Sequence, residues 1–261
     1  MSNMQFDPEE SRQIESVYTT PDVIEQRRVV RASLALRPGD RVLDVGVGPG
    51  LLAAEMAAEV GPDGRVCGID ISDSMLSIAA TRADVTGGPP IELGLASAGR
   101  IPHGPGSFDV VVSTQVLEYV DDVPGALEEI RRVLRPGGRV VLLDTDWGSI
   151  VWRSGDDTRM QRVLTAFEEH LSDPYLPRTL GDSLVKAGFT VTHLQVVPML
   201  NAGGYDPRTY SAGLVDIVAG FVPGRNEVTE EEARGWADDL RTLGDSYFFS
   251  LNRYLFVASA L

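Results

Sequence analysis

One cysteine, one lysine and three histidines in 261 residues leave little room for several kinds of chemistry. Cys67 cannot form an internal disulfide, and its apolar, strand-like surroundings mark it as a small buried hydrophobe. His103, His170 and His193 lie far apart and none has the H-x-x-x-H spacing of a helical metal site. No metal is therefore expected. Lys186 is remote from Gly50, which excludes a lysine-bearing phosphate loop, and no G-x-S-x-G nucleophile elbow occurs. Long apolar runs are missing as well: none reaches eighteen residues, and the N-terminus lacks a basic segment followed by an apolar one. A soluble, cytoplasmic protein is the expectation.

Positive charge is also scarce, with Lys+Arg 23 against Asp+Glu 38 and a net charge of −15. Such a field repels phosphate backbones and anionic bilayers, so neither nucleic acid nor a membrane is expected as a partner. The hydrophobic share, 43%, is ordinary for a globular core, and the length suits one α/β domain with insertions.

What the chain does have is a stretch around which the rest can be ordered, Arg41-Val42-Leu43-Asp44-Val45-Gly46-Val47-Gly48-Pro49-Gly50. A β-branched run ends in three glycines at alternate positions, and the helix-forming segment Leu51 to Val60 follows, giving strand, tight loop and helix. Glycines let the backbone turn sharply and approach a ligand that a Cβ would obstruct. The helix start adds free N–H groups and partial positive charge. A dinucleotide fingerprint would read G-x-G-x-x-G, whereas here the order is G-x-G-x-G with Asp44 two residues ahead. A carboxylate repels a pyrophosphate but favours an ammonium group, so the expected ligand carries an amine. Asp70, twenty residues after Gly50 at the end of the strand Arg65 to Asp70, is placed to accept from both hydroxyls of a ribose.

The motif Val-Leu-Asp-Val-Gly-x-Gly-x-Gly resembles the first motif of class I S-adenosylmethionine-dependent methyltransferases, in wording close to the ubiquinone/menaquinone and small-molecule branch. The resemblance implies a doubly wound α/β fold with a seven-stranded, mostly parallel sheet, and S-adenosylmethionine as cofactor. It further implies that Gly46, Gly48 and Gly50 pass under the methionine moiety while Asp44 serves its amino group. Asp70 would hold the ribose, with Ile71 and Met75 packed on the adenine. An aspartate usually takes the adenine amino group in this family, but Ser97 stands at that position, followed by Ala98. The loss of charge there predicts weaker adenine recognition by roughly 1 kcal/mol. An N-terminal aromatic, here Tyr18, lies near the cofactor in similar proteins, although packing between two helices would equally account for it. The Leu-Arg-Pro-Gly-Gly turn ending at Gly138 is another repeated family motif, and its role is to stop a helix.

The spacing predicts an N-terminal helical cap over residues 1–36, with helices from Pro8 to Val17 and from Pro21 to about Leu34, and a cofactor domain over 37–261. Later elements are expected at Ser72 or Asp73 to Ala83 (helix), Ile91 to Leu95 and Val110 to Ser113 (strands), Pro124 to Leu134 (helix) and Arg139 to Asp144 (strand). Helices over 156–171 and 178–187, a strand over 190–197 and a last strand over 246–258 complete the frame. Between the last two strands, residues 199–245 carry two helical patterns and read as an insertion covering the substrate.

The loop after the fourth strand, Thr114 to Val120, lies at the sheet edge where ligands bind. Gln115 is expected on the cofactor side and Tyr119 on the substrate side. Asp146 and Trp147, leaving the fifth strand, are substrate-wall candidates, as are Tyr205 and Tyr210 of the insertion, for which core packing is the competing reading. Methyl transfer by in-line displacement asks mainly for alignment and exclusion of water, and a base only when the acceptor is protonated. His103, Glu118 and Asp146 are nominated as catalytic residues. The expected partner is a small organic molecule, and a homodimer is compatible with this reading. Three alternatives stay open: a non-methylating reaction such as cyclisation on the same cofactor, a non-catalytic cofactor-binding protein, and a nicotinamide-dependent oxidoreductase.

Overall fold

A computed structural model describes residues 15–83 and 89–261. The expected helix from Pro8 lies mostly outside the described residues, as does part of the loop near Gly87; residues 15–18 are helical. Helix α1 (Pro21–Leu34) begins on a proline, whose fixed φ suits a first helical turn, and ends at Ala35 in the left-handed region. It buries Val23, Gln26, Val30 and Leu34. Strand β1 (Arg41–Val45) follows, then α2 (Leu51–Val60), β2 (Arg65–Asp70), α3 (Asp73–Ala83), β3 (Ile91–Leu95) and β4 (Phe108–Thr114). A 3-10 turn, Leu117–Tyr119, leads to α4 (Val123–Val133) and the long β5 (Leu134–Trp152). The chain then forms α5 (Asp157–Glu168), α6 (Pro177–Lys186), β6 (Phe189–Ala202), α7 (Tyr210–Phe221), α8 (Glu230–Thr242) and β7 (Phe248–Ala260).

All seven strands form one sheet in the order β3-β2-β1-β4-β5-β7-β6. β3, β2, β1, β4 and β5 run parallel, while β7 is antiparallel to both β5 and β6. The order reverses between β1 and β4, so their carboxyl ends open a crevice there, as in other doubly wound sheets. The strands are apolar on both faces because both faces are covered. Val42, Val110, Val112, Val141 and Leu143 pack under α1 and α2. Leu43, Val45, Val111, Val140 and Leu142 pack under α4 and α6. The α4 residues Ala126, Leu127, Ile130 and Val133 lie four abreast on that second face without exposure, and each large one contributes about 1.5–3 kcal/mol.

A third core lies beyond the sheet's main body and is built by α5, α7 and α8 around Trp147, Trp152, Trp236 and Phe249. A reciprocal capping box between Thr229 and Glu232 starts α8. Here the structure differs from the sequence expectation. β5 continues past Asp144 to Trp152, because after an irregularity at Asp146 the segment re-pairs with β7 through Val151 and Trp152. β6 likewise runs five residues beyond Val197, with Pro198 to Ala202 paired to Phe248 to Asn252. The helical insertion therefore starts after Ala202 rather than at 199. Long-range pairing extended these strands, and no local pattern announced it.

Candidate functional site

A cavity of about 520 Å³ opens at the carboxyl ends of β1, β2 and β4. Its floor is the glycine loop. The amides of Gly46 and Val47 both donate to the Ile69 carbonyl (2.8 and 2.9 Å), which fastens the loop to β2. Gly46 has φ +76, and a Cβ there would lie 2.1 Å from Val116 Cγ2. Gly48 has φ +51, yet a Cβ there would meet nothing within 4 Å, because this residue borders open cavity. Gly50 is the N-cap of α2 and packs against Ala79; it shapes the loop from behind and is not on the cavity surface.

Two carboxylates border the cavity. Asp70 accepts from the Gly48 amide at Oδ2 (2.8 Å) and from the Ser72 amide at Oδ1 (2.9 Å), so its carboxylate is held in one orientation with lone pairs left over. Asp44, only 2% exposed, has an oxygen, Oδ1, without a hydrogen-bond partner among the described residues. Burial, reinforced by the negative charge of Asp70, raises the Asp44 carboxyl well above its ordinary range. A buried acceptor left open next to a cavity is costly unless a donor fills it. A cationic donor would both satisfy the oxygen and return the carboxyl to its charged form.

Ile71, Met75, Ser97 and Ala98 line the wall beyond Asp70, and Tyr18, Gln115 and Tyr119 line the other side. Gln115 reaches its position through a left-handed backbone (φ +57), and its amide donates to the Leu143 carbonyl (2.6 Å). Arginines fix the N-terminal segment over the opening. Arg27 donates to the Tyr18 carbonyl (2.5 Å) and pairs with Glu55 of α2, while Arg82 of α3 spans the Pro49 carbonyl and Glu15.

The three nominated catalytic groups are not brought together. His103 packs edge-on against Phe108, the first residue of β4, whereas the cavity lies past Thr114 at the other end of that strand. Its nomination is corrected: a loop that precedes a parallel strand belongs to the wrong edge of the sheet. Asp146 is locked by Arg178 in a two-pronged pair (3.0 and 2.9 Å) and accepts from the Gly148 amide, so it holds the end of β5 and is corrected to a structural role. Glu118 is 1% exposed; it accepts from the Thr145 amide at Oε2 (2.7 Å) and from Trp147 Nε1 at Oε1 (3.3 Å). Burial raises its carboxyl to about 7 despite these donors and the nearby Arg253. It is not a surface residue and does not border the cavity.

Of the substrate-wall candidates, Tyr119 borders the cavity. Trp147 is buried in the third core against Phe167 and His170, and Tyr205 meets Tyr247 edge-to-face with centroids 5.4 Å apart. Tyr210 is also buried, beneath the guanidinium of Arg253. These three are corrected from cavity lining to packing around it: Tyr205 and Tyr210 because the helical insertion folds onto its own apolar core, and Trp147 because β5 carries it into that same core.

Several site residues went unnoticed in the sequence. Gln26 borders the cavity from α1. Asp144, fully buried, accepts at Oδ1 from the amides of Val116 (3.2 Å) and Glu118 (3.3 Å) and so pins the loop that carries Gln115 and Tyr119. Arg253 shares the inward row of β7 with Phe249, Leu251 and Leu255. One charge in an apolar alternation was the available signal.

A sheet of this order, a glycine loop at its switch point and two acids placed for an amine and a ribose define a site for a nucleoside joined to an amino acid. The comparisons with known proteins agree. The methyltransferase domain family matches residues 43–142. The demethylmenaquinone methyltransferase of Symbiobacterium thermophilum is 41% identical over 192 residues, covering 64% of this chain and 74% of that protein. An uncharacterised 37.1 kDa transposon protein of Streptomyces fradiae is 35% identical over 197 residues, which are 74% of this chain and 55% of that protein. In structure, phosphoethanolamine N-methyltransferase 2 of Haemonchus contortus, solved with S-adenosylmethionine, superposes with a TM-score of 0.64 at 20% identity, over 99% of this chain and 58% of that one. The chain belongs to the class I S-adenosylmethionine-dependent methyltransferases. S-adenosylmethionine is the cofactor of that family, and the residues present fit it: Asp44 Oδ1 is an orphaned acceptor for the amino group, and Gly48 leaves the space a side chain would fill.

Proposed function

We propose that this protein transfers a methyl group from S-adenosylmethionine to a small organic molecule held on the Tyr18–Tyr119 side of the cavity. The observation that carries the reading is the unpartnered, buried Asp44 oxygen beside the glycine loop, which asks for a cationic amine rather than a phosphate. When bound, the cofactor supplies an electrophilic methyl on a positively charged sulfur. Asp44 would hold the amino group, Asp70 the ribose hydroxyls, and Ile71 and Met75 the faces of the adenine, with Ser97 and Ala98 at its edge. Gln115, set by Asp144 and the Leu143 carbonyl, would separate the cofactor side from the acceptor side.

The protein's own contribution to rate is alignment and the exclusion of water. Arg27 and Arg82 serve that end by holding the N-terminal segment across the opening. No described helix is long and apolar enough to cross a membrane, and the acidic balance and single thiol suit a reducing cytoplasm. The thiol itself is inert: burial pushes Cys67 up to about 11.

Calorimetric titration with S-adenosylmethionine, S-adenosylhomocysteine and NAD in parallel tests the reading. Binding of the first two and not the third is expected, and transfer of label from methyl-labelled cofactor to an acceptor would complete it. Binding of NAD alone, or of none, would overturn it.

A further inference from the structure

Arg253 is a buried cation that forms no salt bridge among the described residues. It has no exposed surface, its Nη1 donates to the side-chain oxygen of Gln26, and its Nε and Nη2 have no partner. Its guanidinium carbon lies 4.5 Å from the centroid of the Tyr210 ring. Arginine does not escape burial by losing its proton, and removing such a group from water costs several kcal/mol unless an anion and acceptors replace the water. The carboxylate whose charge acts on it is Glu118, but both oxygens of that group are already engaged by Thr145 and Trp147. Burial also leaves Glu118 only part-ionised near neutrality.

The cation sits directly behind the cavity wall. Gln26, its hydrogen-bond partner, borders the cavity, as do Tyr18 and Tyr119, which with Tyr210 feel the charge of Arg253. Burial raises all three phenols, so each keeps its proton and can donate. One cation behind the wall and two protonated tyrosines on it, Tyr18 and Tyr119, thus lie on one side of the cavity, with Tyr210 packed beneath the guanidinium. Among the described residues nothing completes the set, since Nε and Nη2 of Arg253 lack a hydrogen-bond partner.

We propose that Arg253 is the anchor for an ionised oxygen of the acceptor molecule, a carboxylate or a phenolate, with the hydroxyls of Tyr18 and Tyr119 on the cavity wall as supporting donors. This rests on the methyl-transfer reading of the adjoining cavity and narrows its substrate to acidic small molecules. Arg253 is a binding and positioning group here; no proton or bond is made or broken at it.

The test uses the full chain, with and without saturating S-adenosylhomocysteine, and three probes: 4-nitrophenol, benzoate and the neutral 4-nitroanisole. The phenolate of 4-nitrophenol is yellow and its phenol is not, so binding beside Arg253 is expected to turn the probe yellow below its free titration midpoint. Displacement of that colour by benzoate assigns carboxylates to the site as well, and failure of benzoate to displace it restricts the site to phenolates. Arg253→Met is expected to weaken probe binding at least tenfold while leaving S-adenosylhomocysteine affinity within twofold. Its melting temperature should hold or rise, because an apolar chain of similar length replaces an unpaired charge. Should that variant unfold, Gln26→Glu decides: an internal carboxylate against Nη1 should abolish the colour change. No anionic probe bound by the wild type, equal binding by the variants, or equally tight binding of 4-nitroanisole would overturn the proposal. Loss of S-adenosylhomocysteine binding by the wild type would instead remove the methyl-transfer reading, and the anion result would be read without it.

Discussion

The two sides of the cavity are built by different means. The side from Arg41 to Asp70 builds its surface from backbone: a loop of glycines, amides directed at Asp70, and one strand carboxylate, all within thirty residues of sequence. The other side is built from side chains delivered by α1, which precedes the sheet, and by the 3-10 turn, α7 and β7, which follow β4, with partners as far apart as Gln26 and Arg253. A backbone site is rigid and reads a constant cofactor. A side-chain site can be rewritten one residue at a time, which suits an acceptor that differs between relatives. The two are joined by Asp144, whose oxygen holds the loop that carries Gln115 on one side and Tyr119 on the other.

Disrupting the backbone side should have the largest effect. Gly46→Ala combines a left-handed backbone, costing about 1–2 kcal/mol, with a Cβ placed 2.1 Å from Val116 Cγ2, for which overpacking adds about 1–3 kcal/mol. At roughly 2–4 °C per kcal/mol for a chain of this size, the melting temperature should fall by about 5–15 °C, and S-adenosylhomocysteine binding should be lost. Gly48→Ala is the matched contrast, since its Cβ meets no protein atom. It should cost only the backbone term in thermal melts yet still block the cofactor. Equal melting temperatures for the two variants would refute the assignment of Gly46 to packing and Gly48 to ligand space.

Next in size is Asp44→Asn, which keeps the shape and removes the charge. A hydrogen bond to a charged group is worth about 1.5–3 kcal/mol, so calorimetry should show S-adenosylhomocysteine affinity reduced by roughly 10- to 100-fold. The pH dependence sharpens this. Burial and Asp70 raise the Asp44 carboxyl in the free protein, so it must release a proton to meet an ammonium group. Wild-type affinity should therefore strengthen as pH rises through that raised range, with proton release on binding, and Asp44→Asn should remove this contribution. An affinity independent of pH in the wild type would mean that the amine does not meet Asp44.

Legibility in the sequence followed the same division. β1, the glycine loop, α2, β2 and β3 appear where the pattern places them, because each is specified by short-range features: alternation, turn residues and a cap. The cofactor-side residues from Asp44 to Gln115, Gly50 apart, border one cavity, since local motifs carried them. In the second half, β5 and β6 outran their patterns because pairing with β7 decides their ends. Tyr205 and Tyr210 turned into the third core, since an aromatic on a helical insertion is as well satisfied by its own core as by a ligand, and Trp147 joined them because β5 extends past Asp146 into that core. Arg253 was legible only by counting the phase of β7, which requires knowing which row faces inward. His103 failed for a topological reason: it precedes its strand, and the site follows it.

A smaller effect distinguishes Glu118 as a buried acid from Glu118 as a reacting one. Its folded carboxyl stands at about 7, above its ordinary 4.5. Between those values the folded chain holds a proton that the unfolded chain has lost, so this contribution to stability is complete below the lower value and is lost as pH rises towards the upper. Asp44 and Asp144 are raised in the same direction. Wild-type melting temperature should thus decline from about pH 5 to pH 7, and Glu118→Gln should decline less steeply, by up to about 1.4 kcal/mol per pH unit. Its amide keeps only one acceptor oxygen for Thr145 and Trp147, at a cost of about 1 kcal/mol. An identical slope would show that Glu118 is ionised in the folded chain throughout.

The smallest expected effect is a gain. Ser97 borders the cavity at the position where the family resemblance implies an aspartate, and it is exposed, its carbonyl accepting from the Arg100 amide (3.1 Å). Ser97→Asp adds charge assistance to one hydrogen bond at a solvent-screened position, worth at most about 1 kcal/mol, or roughly fivefold in affinity. Two opposing terms bear on the outcome. The new carboxylate adds to an already acidic rim with Asp44 and Asp70, which raises the cost of charging all three. An adenine amino group donates without being charged, so it relieves that repulsion less than the ammonium at Asp44 does. A gain of two- to fivefold in S-adenosylhomocysteine affinity, with adenosine itself gaining equally, would place the adenine edge at residue 97. A loss for both would mean that repulsion outweighs the new bond, and that serine is the better residue for a rim this acidic.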